Sequence, residues 1–279
     1  MRVSAALLLI AMALEAQSRK SILMITDAEG VAGVCRQDLT EPSSPELRQL
    51  LTGETNAAVD GFFDGGADEV VVWDGHDGSQ TLSALTIHPR ARLLMGSPAP
   101  SGLLDRKFAG LAFVGQHARA NRKGGVMAHS FSSLGIQNMW LNGKPVGEIE
   151  VWSAIAGHFN TPVVFLSGDR AAIEDLRDIV PQAETVEVKE GLSYYTCISL
   201  SAPAAREAIR AGAARSMKKL GEVPPYRLGS PVALRVEYST RSTLPSQAGL
   251  SPGSEVIDAR TIEFRGKDVL EAWTRYRAR

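Results

Sequence analysis

The chain has 279 residues, 44% of them hydrophobic, enough to bury a sizeable core in one large or two modest domains. Its 30 basic and 31 acidic side chains give a formal net charge of −1. That balance removes the electrostatic case for a nucleic-acid or charged-membrane partner, and the cluster Arg215, Lys218 and Lys219 reads as a solvated helix face.

In chain order, Arg2 precedes an apolar run over residues 5–14. The run is shorter than the ~20 residues that span a bilayer. Small residues at Ala16 and Ser18 and a polar break at 17–20 fit a cleaved export signal over residues 1–18. The mature protein is then expected in the periplasm or outside the cell, free of the membrane; a buried first helix and a retained anchor are the alternatives. Residues 21–25, 70–73, 109–114 and 162–166 are short apolar runs, as in strands buried on both faces. Helical spacing covers 46–64, closed by Gly65-Gly66, and a helix is expected over 148–158. Residues 139–146 read as a hairpin around Asn142-Gly143. A helix at 202–220, a loop at 222–230, strands at 232–238 and 261–264 and a last helix at 267–277 complete the chain. This alternation predicts an α/β fold with a mainly parallel central sheet, flanking helices and a smaller C-terminal α/β part. The expected domains are a catalytic, metal-binding unit at 19–168 and a C-terminal unit at 169–279. Cys35 and Cys197, far apart in sequence, are expected as free thiols.

Parallel α/β sheets bind ligands at the carboxyl ends of their strands. Asp27-Ala28-Glu29-Gly30 follows the first strand, Asp74-Gly75-His76-Asp77 the second, and Gln116-His117 the third. In an extended segment Asp27 and Glu29 point to one side, where two carboxylates repel unless a cation sits between them. With His76 and His117 they form a nitrogen and oxygen set that suits zinc. Two ions ~3.5–4 Å apart can polarise a carbonyl and activate a water together. Glu148 opens a helix, so capping is the simpler reading there. His129 is read as a base, an acid or a transition-state donor, or as a hydrogen-bonded loop histidine. Ser130 lies in no Gly-x-Ser-x-Gly elbow, which ranks a serine hydrolase lower. Asp74 and Asp77 are candidates to orient His76, Asp169 reads as a helix N-cap, and His88 and His158 as structural. No dinucleotide or Walker phosphate loop occurs.

These motifs resemble the D-aminopeptidase family of the DppA type, zinc peptidases with a Ser-x-Asp-x-Glu-Gly signature. Asp27-Ala28-Glu29-Gly30 keeps the Asp-x-Glu-Gly part, and Ile25 stands at the Ser position. The likeness continues through Asp74-Gly75-His76, residues 115–120, 125–130 and 145–148, down to 267–272. It implies two zinc ions per subunit, with Asp27 shared, Glu29 and His117 on one, and His76 and Glu148 on the other. It makes Glu148 a ligand rather than a cap, and His129 the catalytic residue, described in the family as the nucleophile. A general acid/base role for His129 is the physically simpler expectation. The resemblance also implies release of N-terminal D-residues, D-Ala especially, from short peptides, and a ring-shaped homo-oligomer, a decamer in the type member. A two-metal amidase or esterase with a non-peptide substrate is the rival enzyme reading. A non-catalytic peptide-binding protein is the third; all six site positions are present, which counts against it.

Overall fold

The computed structural model describes residues 19–245 and 252–278. Residues 1–18, read as an export signal, lie outside the described residues, among which no helix is long and apolar enough to cross a membrane. The chain runs β1 (Ser21–Thr26), α1 (Pro45–Asp64), β2 (Glu69–Asp74), β3 (Arg92–Leu94), α2 (Pro100–Leu104) and β4 (Gly110–Gln116). It continues with β5 (Ile136–Leu141), β6 (Lys144–Pro145), α3 (Glu148–His158), β7 (Val163–Asp169) and α4 (Arg170–Ile179). Then come β8 (Glu184–Ser193), β9 (Thr196–Ser199), α5 (Ala202–Lys218), β10 (Val232–Tyr238), β11 (Ser254–Val256), β12 (Thr261–Gly266) and α6 (Val269–Arg277).

The main sheet has seven strands in the order β3-β2-β1-β4-β7-β8-β9. All its pairs are parallel except β8–β9. The second sheet has five strands, β11-β12-β10-β5-β6, all antiparallel. The expected α/β class with a mainly parallel sheet is what the chain adopts, and the antiparallel sheet is the smaller part.

The apolar runs form central strands because both of their faces are covered. Alternate residues of β1 point to opposite sides. Ile22 and Met24 join a core with α1 and α5, including Leu47, Phe62 and Ile209. Leu23 and Ile25 join the other core, with α3, α4, α6 and the inner face of the second sheet. The hairpin turn at Asn142 and Gly143 has φ of 49° and 79°, the two positive values a type I′ turn requires. Sequence reading assigns no element to 184–199, where β8 and β9 extend the main sheet.

The order of the sheet decides where the site lies. The chain leaves β1 for β2 and β3 on one side, then crosses to β4 on the other. The crevice between the ends of β1 and β4 is thus a topological switch point, the place where open α/β sheets bind ligands.

Cys35 and Cys197 are not free thiols, as expected from sequence, but form a disulfide, with Cα atoms 6.0 Å apart across 162 residues of chain. The sheet order accounts for the correction. It brings the β8–β9 hairpin beside the loop after β1, where Ser199 Oγ also accepts the Gly33 N–H at 2.8 Å. A crosslink that closes so long a loop contributes ~2–4 kcal/mol of stability. Replacing both cysteines by serine is expected to lower the urea unfolding free energy by about that amount. A wild-type midpoint that does not respond to reductant would contradict this.

Candidate metal centre

The six sequence-predicted site residues reach the crevice from five segments of the chain. Asp27 and Glu29 follow β1, His76 follows β2 and His117 follows β4. His129 stands in the long connection from β4 to β5, and Glu148 is the first residue of α3. The segment carrying Asp27 and Glu29 is a turn, closed by the Val31 N–H on the Ala28 carbonyl at 3.1 Å, and not the extended stretch that spacing suggested. The two acids converge all the same: Asp27 Oδ1 lies 3.0 Å and Glu29 Oε2 3.5 Å from His76 Nδ1. The other oxygen of Asp27, Oδ2, is 3.3 Å from His117 Nε2, which is 3.8 Å from Glu148 Oε1. Gln116 Nε2 donates to Asp27 Oδ2 at 2.9 Å. The rings of His117 and His129 stack with centroids 4.0 Å apart.

The turn is possible because two glycines let the backbones of β1 and β4 touch. A Cβ on Gly30 would stand 2.0 Å from the Gln116 carbonyl oxygen, and one on Gly115, whose φ is +73°, 2.2 Å from that of Asp27. The glycine of the Asp-x-Glu-Gly motif is therefore a packing requirement between the ends of β1 and β4.

All three imidazoles are oriented alike. His76 Nε2 donates to the Thr40 carbonyl at 2.7 Å, His117 Nδ1 to Ala118 at 2.8 Å and His129 Nδ1 to Met127 at 2.9 Å. A carbonyl only accepts, so in the neutral ring the proton sits on the bonded nitrogen and the other nitrogen offers its lone pair to the site. Backbone carbonyls in this role are the usual partners of metal-binding histidines. Asp74 does not orient His76; its Oδ2 accepts the N–H groups of Thr81 and Leu82 at 2.8 and 2.9 Å. The Asp77 carboxylate stands 3.7 Å from His76 Nε2, beyond hydrogen-bond reach.

Glu148 is free to face the site because Glu150 does the capping: its Oε2 accepts the Gly147 N–H at 2.8 Å. Glu148 Oε1 accepts the Phe131 N–H. Ser130 is fully buried, donating to the Val146 carbonyl at 2.8 Å and accepting the Ala120 N–H at 3.1 Å, so it is no nucleophile. Asp169 is the expected N-cap, with Oδ1 on the Ala172 N–H at 2.7 Å, and its Oδ2 also ties down the Val126 N–H at 2.9 Å, in the loop that leads to His129. His88 pairs with Asp60 at 3.2 Å and His158 ends α3, both away from the site.

Three buried atoms here have no hydrogen-bond partner: Glu29 Oε2, His117 Nε2 and Glu148 Oε2. Ligand atoms of Asp27, Glu29 and His117 lie within 4.8 Å of one another, as do those of His117, His129 and Glu148. Orphaned donors and acceptors packed this closely are the signature expected of a cation site. The protonation of the site points the same way. Burial works against charge on His76, yet Asp27 and Glu29 lift its pKa to about 10. His117 is also raised, against its burial, by Glu148 and Asp27. Asp27 is held well below the usual carboxylate range, despite burial, by His117 and His76. Burial and Asp27 raise Glu29, and burial pushes Glu148 up to about 7, with His117 opposing and Asp27 adding. Burial and the neighbouring His117 lower His129. The carboxylates thus draw positive charge onto the imidazoles, a demand that divalent cations meet with the rings neutral.

Two features escaped the sequence. The first is Lys189 on β8, 2% exposed, whose ammonium donates to the carbonyls of Glu29, Val31 and Val34, with the Val31 bond at 3.0 Å. A lone lysine in an alternating strand carries no signal of this. The second is the aromatic wall of the cavity of about 820 Å³ above the site, built from Trp73, Trp152, Trp273 and Phe131. Trp152 meets Trp73 and Trp273 at centroid distances of 4.9 and 6.0 Å.

The family model described as Peptidase M55, D-aminopeptidase, matches residues 21–278. A D-aminopeptidase of Bacillus subtilis (strain 168) is 29% identical over 259 residues, covering 90% of this chain and 93% of its own length. The solved structure of the Zn-dependent D-aminopeptidase DppA from Bacillus subtilis, described as a self-compartmentalizing protease, superposes with a TM-score of 0.85 at 28% identity. That match covers 92% of this chain and 96% of the other.

Lys189→Met strands three buried carbonyls and is expected to destabilise the protein by ~2–4 kcal/mol in urea melts. An unchanged melt would show that the ammonium is not what holds this turn.

Proposed function

This chain belongs to the Peptidase M55 family, the D-aminopeptidases, and on that premise we propose that it is a binuclear zinc enzyme that releases N-terminal D-residues, D-Ala preferentially, from short peptides. The observation that carries the reading is the set of orphaned buried atoms on Glu29, His117 and Glu148, gathered around Asp27. Asp27 would be the shared ligand, since its two oxygens face different imidazoles. By the family resemblance Glu29 and His117 would complete one site and His76 and Glu148 the other, while in this structure Glu29 also approaches His76 and Glu148 approaches His117. When bound, the zinc pair supplies Lewis acidity for the scissile carbonyl and activates water near neutral pH.

The chain's own groups do the rest. Gln116 steadies Asp27, and the backbone carbonyls of Thr40, Ala118 and Met127 hold each imidazole with its lone pair inward. His129 is the proton carrier. Its Nδ1 is committed to Met127, and burial beside His117 keeps the ring neutral, so Nε2 can accept a proton and return it to the leaving amine. The tryptophans and Phe131 exclude water around the substrate.

The disulfide supports an exported, periplasmic or extracellular protein, because such bonds persist in oxidising compartments. Detection of the full-length chain solely in cytosol would count against export. Assembly into a homo-oligomer is supported by the self-compartmentalizing relative and by exposed apolar side chains on the β8–β9 hairpin, Leu192, Tyr195 and Ile198 among them.

Zinc-loaded protein is expected to cleave D-Ala p-nitroanilide faster than the L-Ala compound, to lose that activity on chelation and to regain it with zinc. His129→Ala should keep its bound zinc and lose roughly 10²–10⁴-fold in kcat. Equal rates on both enantiomers, or preference for simple esters, would favour the non-peptide amidase or esterase reading. Trapping a covalent adduct on His129 would replace proton transfer by nucleophilic attack.

A further inference from the structure

The peptidase reading uses the acidic end of the cavity and leaves unused the one guanidinium that the described residues place on its wall. Two helices build that wall by the same device. On α3, Glu148 and Trp152 are four residues apart and share a face; on α6, Trp273 and Arg277 do the same. The indoles of Trp152 and Trp273 meet, with centroids 6.0 Å apart. Phe131, whose N–H donates to Glu148, packs on Trp273 at 5.0 Å. The wall therefore runs from a carboxylate, across two indoles, to a guanidinium.

Arg277 is the only arginine or lysine among the described residues lining this cavity. With Phe131 and Ser132 it also borders a smaller cavity of about 310 Å³, which none of the proposed metal ligands lines. Among the described residues it has no ion pair, whereas Arg275 of the same helix is held by Glu271 at 2.8 Å. An uncommitted guanidinium offers a planar fork that matches a carboxylate. Two bound divalent cations would outweigh the charge of Asp27, Glu29 and Glu148, so that end of the cavity does not repel a carboxylate, and the orienting group on the wall is the guanidinium at its other end.

We propose that Arg277 binds the C-terminal carboxylate of the substrate, which makes the preferred substrates short peptides with a free C-terminus. This rests on the peptidase reading for the end that is cut, and on the cavity wall for the end that is held. The indoles then cover the side chains between the two ends.

The test compares D-Ala-D-Ala with its C-terminal amide on the zinc-loaded protein, in wild type, Arg277→Ala and Arg277→Lys. Wild type is expected to favour the free acid by about tenfold or more in kcat/KM, mainly through KM. The ratio should fall toward one in Arg277→Ala and be partly restored by Arg277→Lys. Calorimetric titration with the aminomethylene analogues of both ligands reads the same preference without turnover. A wild-type ratio near one, a ratio that survives Arg277→Ala, or analogues that bind without preference or not at all would overturn the proposal. If neither peptide is cleaved while the analogues keep an Arg277-dependent acid preference, the peptidase reading fails and the carboxylate site stands.

Discussion

Asp27, Glu29 and Glu148 bring three carboxylates into one water-poor crevice, and their mutual repulsion is the constraint around which the rest is arranged. Two unit charges ~4 Å apart at an effective dielectric near 20 interact by about 4 kcal/mol, a sizeable fraction of a domain's stability. Such an arrangement persists only where positive charge answers it. His76 and His117 supply that charge as imidazoliums, or leave it to cations as neutral rings. The carbonyls behind each ring serve the second state, because they fix which nitrogen keeps its proton.

Holding the acids in place falls to groups with no part in the chemistry. Gly30 and Gly115 let the first turn press against β4. Lys189 then gathers three carbonyls of that turn, and Glu54 Oε1 accepts the Ala32 N–H at 2.8 Å. The disulfide fastens the end of the same segment to β9. The loop that carries Asp27 and Glu29 is thus braced from β8, β9 and α1.

The second sheet has a different part. Its inner face completes the core under α3 and carries α6 to the mouth of the crevice. Without it, Trp273 and Arg277 would not reach the cavity. Strand ends of the main sheet carry Asp27, Glu29, His76 and His117, and the antiparallel sheet, through α6, shapes the cavity above them.

Much of this was legible in the residues themselves. The buried strands show as apolar runs because both faces are covered, and the acids and histidines that follow them sit where parallel strands end. The order of motifs was enough to assign the family and to set the capping reading of Glu148 aside. What the chain alone could not settle lies in contacts between distant segments. The pairing of Cys35 with Cys197 depends on the sheet order that brings β9 beside the first loop. Lys189 looks like any strand lysine until the carbonyls above it are seen, Asp74 looks like a histidine partner until its bonds to Thr81 and Leu82 appear, and the Trp–Trp–Arg wall joins helices more than a hundred residues apart in sequence. Local pattern records which face of an element is buried; only the assembled layers decide what that face meets.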